Sequence, residues 1–404
     1  MRAFFSSPSL LVGAAVFLSV TPLLGSVPRV LSYLVLIIWA SRLRVAGSGL
    51  ANAGSFFLVV LSMSFGAAMN LTSGLAGLRH AVFTDGHFLA GLAAGFVLAS
   101  AIPSEDFVRS LGSWGLVFAG FSLVGVAIYT VFPAAVYGFP SYTFGTTHHT
   151  IGFANFLMQD GAVLQRNSGI ASEPGKFQMI LNLAAAAHLV RKPSWESGPK
   201  WYASMLLIAI ALFTTRSTAG LVIFAILVTL AAVYSWRARL FAVGAWLLAG
   251  SSLAREFAYQ AEYKLQGSSA FDSRLNPSLR VLSEVRQAPL GIGTATYNAK
   301  YEEMGWGSYD SYTQIFLRFG LPLLVLLTLL LVRNLRSLPL PTVVIALTFL
   351  SQPVWFVPLV SYFYFHRSSL QVARRSAGGL PQWKRLRLQN MGVRNQRAER
   401  AIGQ

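Results

Sequence analysis

The chain has 404 residues, 54% hydrophobic and only 11% charged, with a mean hydropathy of +0.55, a balance that excludes an ordinary soluble enzyme and points to a polytopic helical membrane protein. Its net charge of +18, from 32 Lys and Arg against 14 Asp and Glu, falls in short clusters between apolar stretches and in a C-terminal tail with little aromatic interleaving, so nucleic acid is not an expected partner. With no cysteine, disulfides, thiol nucleophiles and thiolate metal sites are excluded.

In chain order, the first apolar stretch, 8–25, reads as a retained signal-anchor because a second span, 28–41, follows at once. Further spans are expected at 54–70, 86–103, 113–135, 173–190, 200–215, 217–235, 239–254 and 311–332. Basic clusters recur at alternate connections: Arg42 and Arg44; Arg109; Arg191, Lys192 and Lys200; Arg237 and Arg239; Arg333 and Arg336. This is the positive-inside pattern. The last apolar region, 340–366, reads as a hairpin turning at Ser351, Gln352 and Pro353, since a single helix would carry the basic tail to the outer side. The expected fold class is therefore an all-α, polytopic transmembrane helical bundle of about 11–12 spans. It comprises one membrane domain, 1–366, and a basic cytoplasmic tail, 367–404, that reads as disordered and lies against anionic lipid. Two long segments, 136–172 and 255–310, face outward as loops. The aromatic run from Trp355 to Phe365 is expected to face lipid or form an interfacial belt.

This topology gathers the polar residues of interest on the outer side. Arg166, Glu173 and Lys176 stand at the entrance of the sixth span, in RNSGIASEPGK; Arg216 stands at the turn TTRSTAG; Asp272, Arg274, Arg280 and Arg286 lie in the second outer segment, and Asp310 where that segment re-enters the membrane. An arginine fork makes paired hydrogen bonds to diphosphate or carboxylate and keeps its charge, so several of them at a lipid boundary suit an anionic, lipid-linked substrate. A carboxylate at the mouth of a membrane helix is costly unless it is paired or working.

Several stretches carry a resemblance. RNSGIASEPGKFQ resembles the R-x-x-G-x-x-x-E-P-G junction of bacterial O-antigen polymerases and related polysaccharide polymerases, and TTRSTAGL is similar to the Ser/Thr-Arg-Ser-x-x-G turn of the O-antigen polymerase/ligase superfamily. SRLN, then APLGIGTATY, then SYDSYTQIFLRFGLPLL resemble that superfamily's closing pattern, and all these motifs together run in order over roughly 140–335. The resemblance implies a GT-C-like glycosyltransferase in the bacterial inner membrane, acting at its outer face on polyprenyl-diphosphate-linked glycans. Its expected partners are that substrate, membrane lipids, a chain-length regulator and export proteins, with no cofactor. In many ligases of the superfamily the pair before the last motif is His-Asn; here it is Tyr309 and Asp310, which favours polymerase over ligase.

Displacing a polyprenyl diphosphate requires stabilisation of the departing charge and a base for the attacking hydroxyl. Arg216 and Arg274 are the leaving-group candidates, supported by Arg166; Glu173 or Asp310 is the base candidate; Lys176, Arg280 and Tyr312 are added as substrate-binding residues. Simpler roles stand beside these. Glu173 suits a helix N-terminus followed by Pro174, Arg216 suits a snorkelling anchor, and Arg274, Arg280 and Arg286, the latter two above all, suit a solvated face paired with Asp272 and Glu284. His148 and His149 lack metal-site spacing, His188 reads as structural, and no phosphate-cradling loop motif occurs, Gly291 and Gly293 reading as a turn. A flippase would use the same arginines, but would place ionisable groups near the bilayer midplane; a scaffold would need no convergent set.

Overall fold

The computed structural model describes residues 7–21, 26–43, 49–68, 74–132, 141–144, 146–151, 154–158, 166–190, 199–232, 236–265, 288–299 and 310–366. The helices are α1 (Ser7–Val20), α2 (Ser26–Ser41), α3 (Gly49–Ala68), α4 (Gly74–Ala101), α5 (Ser104–Val131), α6 (Pro174–Val190), α7 (Pro199–Thr215), α8 (Thr218–Ala232) and α9 (Trp236–Leu265). A single turn, α10 (Thr294–Tyr297), precedes α11 (Ser311–Asn334), α12 (Pro339–Phe349) and α13 (Pro358–Phe365). Each apolar stretch read from the sequence coincides with a helix. By length and composition, Val82–Ala101 of α4, Ser104–Val131 and Ser311–Asn334 can cross a membrane, and shorter apolar helices accompany them.

The segment expected as the first outer loop contains strands. β1 (Ser141–Phe144), β2 (Thr146–Ile151), β3 (Ala154–Met158) and β4 (Arg166–Gly169) form an antiparallel sheet in the order β1-β2-β3-β4. The described residues are thus predominantly helical, in keeping with the expected all-α class, with one small sheet added. The signal was present in SYTF, TTHHTI and ANFLM, short runs holding Tyr, Phe, Thr and Ile with Gly145 and Gly152 between them.

Hydrogen bonds at or near helix ends place the chain's reversals at two levels. At one, Ser172 N donates to Val20 O (3.0 Å), Arg29 donates to Thr21 O (2.8 Å), and Ser311 Oγ donates to Gln352 O (2.5 Å). At the other, Trp114 Nε1 donates to Ser9 O (2.8 Å), Tyr362 donates to Ile102 O (3.1 Å) and Arg333 donates to Tyr364 O (2.7 Å). The region 340–366 is indeed a hairpin. Its turn lies beside Ser311 at the start of α11, and its second arm ends beside Arg333 and Asn334 at the end of α11.

The aromatic run in that second arm is a correction to the expectation. Trp355, Tyr362, Phe363, Tyr364 and Phe365 are completely buried, because α13 is packed among α1, α3, α4 and α11 instead of facing outward. Helices apolar all round belong inside. The close approach depends on Gly91 and Gly95 of α4: a side chain on either would run into the Phe356 carbonyl or Ser361. Small residues four apart admit a neighbouring backbone, and in an apolar solvent such packing replaces the hydrophobic driving force. Tyr362 stacks flat on Phe107, with ring centroids 3.5 Å apart.

Candidate functional site

The junction RNSGIASEPGK is built almost residue by residue from local rules. Asn167 Oδ1 accepts from Gly169 N (2.8 Å), closing a turn in which Gly169 takes φ +53°, and the Phe177 ring occupies the space a side chain there would need. Ser168 O then accepts from Ala171 N (2.9 Å), and Pro174 starts α6 where its missing N–H costs nothing. Glu173 precedes the helix and its carbonyl accepts from Lys176 N and Phe177 N. Its carboxylate meets Lys176 Nζ at 3.2 Å, and the same ammonium donates to Ser172 Oγ at 3.1 Å. Lys176 is the more buried partner, 21% exposed against 46% for Glu173, so the cation is held from below and the carboxylate is open to solvent.

The TTRSTAG turn joins this junction from the side. Arg166 donates through Nε to Thr215 O (3.3 Å) and through Nη2 to Arg216 O (3.4 Å), while Asn167 Nδ2 donates to Thr214 Oγ1 (2.9 Å). The two Arg166 bonds satisfy carbonyls left over at the end of α7, where a cation also complements the helix dipole. Arg216 itself has φ +51°, and among the described residues no other non-glycine has positive φ. That left-handed position after a helix is normally glycine, and a Cβ there costs roughly 1–2 kcal/mol. The side chain is exposed. A strained arginine, held by its carbonyl and projecting freely, marks a place where a guanidinium is retained against local preference.

Below the two motifs, Asn182 donates to Gln178 Oε1 (2.9 Å) and to Gly220 O (3.0 Å), locking α6 to the start of α8; a Cβ at Gly220 would come within 2.7 Å of Gln178 Cβ. On the other side, Gln352 fills the space over Gly175, its carbonyl accepts from Ser311 Oγ, and that hydroxyl oxygen accepts from Val354 N (2.9 Å). This chain ties the Glu-Pro-Gly junction to the start of α11. Asp310 caps that start, its Oδ1 accepting from Thr313 N at 2.6 Å. Tyr312 uses its hydroxyl to hold Ala346 O of α12 (3.2 Å).

A second polar group at the same end escaped the sequence reading. α11 breaks at Gly320, where φ is +82° and ψ −179°, and the PLGIG turn docks on the break: Ile292 N donates to Leu317 O (2.7 Å) and Leu321 N to Pro289 O (2.8 Å). Gly291 and Gly293, at φ +86° and +78°, form the expected turn, and a Cβ on Gly291 would lie 2.7 Å from Gly320 N. Thr294 then donates to Asp85 Oδ1 of α4 (2.5 Å). Arg318, only 3% exposed, lays its guanidinium over Tyr297 at 4.2 Å and Phe88 at 5.3 Å. An arginine in the middle of FLRFGLP, inside an apolar helix, was the available signal.

Among the sequence-derived candidates, Arg166, Glu173, Lys176 and Arg216 are thus gathered by two interlocked turns, and Asp310 reaches them through Ser311 and Gln352. Arg274 and Arg280 lie outside the described residues, as do Tyr309 and the tail 367–404. His148 and His149 are successive residues of β2, and no group of three metal-ligating side chains occurs among the described residues. The fold and site define a helical protein with three helices long and apolar enough to cross a membrane among the described residues, and with a cationic, carboxylate-bearing end. No family model matches the chain, and no curated protein matches it either.

Proposed function

We propose that the protein is a multispanning glycosyltransferase of the bacterial inner membrane, a polysaccharide polymerase that joins polyprenyl-diphosphate-linked repeat units at the outer face. The observation that carries this reading is the clasp between Arg166 and the backbone of Thr215 and Arg216, which ties the turn bearing a strained, exposed arginine to the segment that leads into the Glu173–Lys176 pair. The membrane setting draws support from long runs of exposed apolar side chains, such as Phe57 (64% exposed) and Phe65 on α3 and Leu329 (60%) and Val332 on α11, which need lipid rather than water beside them. The alternating basic clusters orient the site outward.

In this reading Arg216, with Arg274 from the second outer segment, meets the diphosphate as the bond from its oxygen to the anomeric carbon breaks. The acceptor sugar's hydroxyl attacks that carbon and passes its proton to Glu173 or Asp310. Glu173 is open to solvent and backed by a cation; Asp310 has one oxygen engaged by the helix cap. Preorganised charge aimed at the leaving group is the main source of acceleration. In vesicles supplied with lipid-linked repeat units, the intact chain is expected to lengthen glycan and Arg216→Ala to leave single units on the outer leaflet. Unchanged polymer from Arg216→Ala would overturn the proposal.

A flippase reading draws on one specific observation: Arg318 is buried about 11 Å along a discontinuous helix, the arrangement that transporters place around a substrate path. In that case blocked substrate would accumulate on the inner leaflet.

A further inference from the structure

On α9, Arg239, Ala242, Val243, Trp246 and Leu247 fall at i, i+3, i+4, i+7 and i+8, a single face, and with Thr229 and Ala232 of α8 they line an open groove of about 500 Å³. Every lining residue except Arg239 and Thr229 presents an apolar surface, and Thr229 Oγ1 is engaged by Trp246 Nε1 at 2.9 Å. Val243 and Leu247 are 59% and 69% exposed, so the groove opens outward from the bundle. Arg239 stands at one end of it. Its Nε donates to Ala232 O at 3.4 Å, a bond that orients the side chain at the groove mouth while the residue remains exposed.

The groove is amphiphilic along its length, cationic at one end and apolar for about 12 Å beyond, which approaches half of a ~30 Å hydrocarbon core. The middle of α9 identifies the level: Ser252, about 20 Å along the helix from Arg239, contacts Thr218 of the TTRSTAG turn (3.3 Å), so Arg239 lies at the opposite level from the candidate site. We infer that this groove is a binding site for one anionic phospholipid of the leaflet opposite the catalytic face, its phosphate on Arg239 and an acyl chain between α8 and α9. Charge complementarity selects this occupant, since a neutral apolar helix from another protein leaves Arg239 unanswered, and the inner leaflet is the anionic one. The comparable groove beside the PLGIG turn, lined by Pro289, Leu290, Leu321, Pro322, Val325, Leu326 and Leu329, has no cation and serves as a control. The inference rests on the membrane setting of the proposed function, not on its chemistry.

The test uses the full chain in detergent, stripped of lipid, titrated with phosphatidylglycerol or phosphatidylcholine and followed by native mass spectrometry and melting temperature. One phosphatidylglycerol is expected to bind and raise the melting temperature, and phosphatidylcholine to do so much less. Arg239→Gln should weaken that binding about fivefold, the effect of one basic side chain at a charged lipid surface, and Arg239→Lys should retain most of it. Val243→Trp, which fills the groove from its exposed side, should abolish the bound lipid, whereas Leu329→Trp in the control groove should not. Equal binding of the two lipids, or normal binding by both Arg239→Gln and Val243→Trp, overturns the inference. Cross-linking between copies through Val243→Cys, in a chain otherwise free of cysteine, would assign the groove to a dimer instead. Lipid binding that survives in a protein making no polymer would defeat the polymerase proposal alone.

Discussion

The Arg166 guanidinium clasps the carbonyl of Arg216, 50 residues further along the chain, at 3.4 Å. One arginine therefore fixes the backbone from which another projects. On the proposed function, the arrangement separates a residue that positions from a residue that meets the substrate, and the two roles make different predictions.

Arg216→Gly should be as stable as the native chain or more stable, by about 1 kcal/mol, because glycine takes the left-handed conformation without the Cβ penalty. Polymer synthesis should nonetheless be lost. Arg216→Lys keeps the charge but not the fork, and should fail nearly as badly. Melting in detergent together with glycan length on the lipid carrier checks both; near-normal length from Lys would leave Arg216 as a charge anchor.

Arg166→Ala should lower stability by about 1–2 kcal/mol, through loss of charge-assisted bonds to the end of α7. Its effect on turnover should not add to that of Arg216→Gly, since each change disables the same projection. A double-mutant cycle on turnover measures this. Full additivity would mean that Arg166 acts on substrate independently.

Glu173→Gln should fold and insert at normal levels, because the carbonyl that starts α6 is unchanged, and Lys176 keeps its bond to Ser172 Oγ and can still donate to the amide oxygen of the new side chain. Single, unpolymerised repeat units should remain on the carrier. Long-chain product from this variant would make Glu173 a residue of the helix start only, and would move the base role to Asp310.

Gly95→Leu should be among the most damaging substitutions remote from the site. The added side chain collides with Ser361 and must push α13 off α4, where overpacking typically costs about 1–3 kcal/mol. Loss of folded protein on size exclusion, partly restored at low temperature, is the expected result. Tolerance of leucine would show that α13 can be displaced without loss of the fold.

Single cysteines at Leu350 and at Ser337 should label from opposite sides of the membrane, the first from outside and the second from inside, because they occupy the two turns bounding α12. The cysteine-free background makes the comparison clean. Labelling of both from one side would show that α12 does not carry the chain across the membrane.

The sequence by itself determined where the helices lie, since apolar runs and their Pro and Gly boundaries are local features. The same locality made the Glu-Pro-Gly start of α6, the PLGIG turn and the hairpin at Gln352 legible. Tertiary structure decided which apolar surface meets protein and which is left open. Hydropathy cannot separate these, because lipid and protein interior are both apolar, so the run from Trp355 to Phe365 read as belt when it is core. Only the fold turned Arg166 toward the carbonyls of α7 and seated Arg318 between Tyr297 and Phe88. A charged side chain's role is set by what stands within a few ångströms of it, and those neighbours come from remote parts of the chain that no local pattern records.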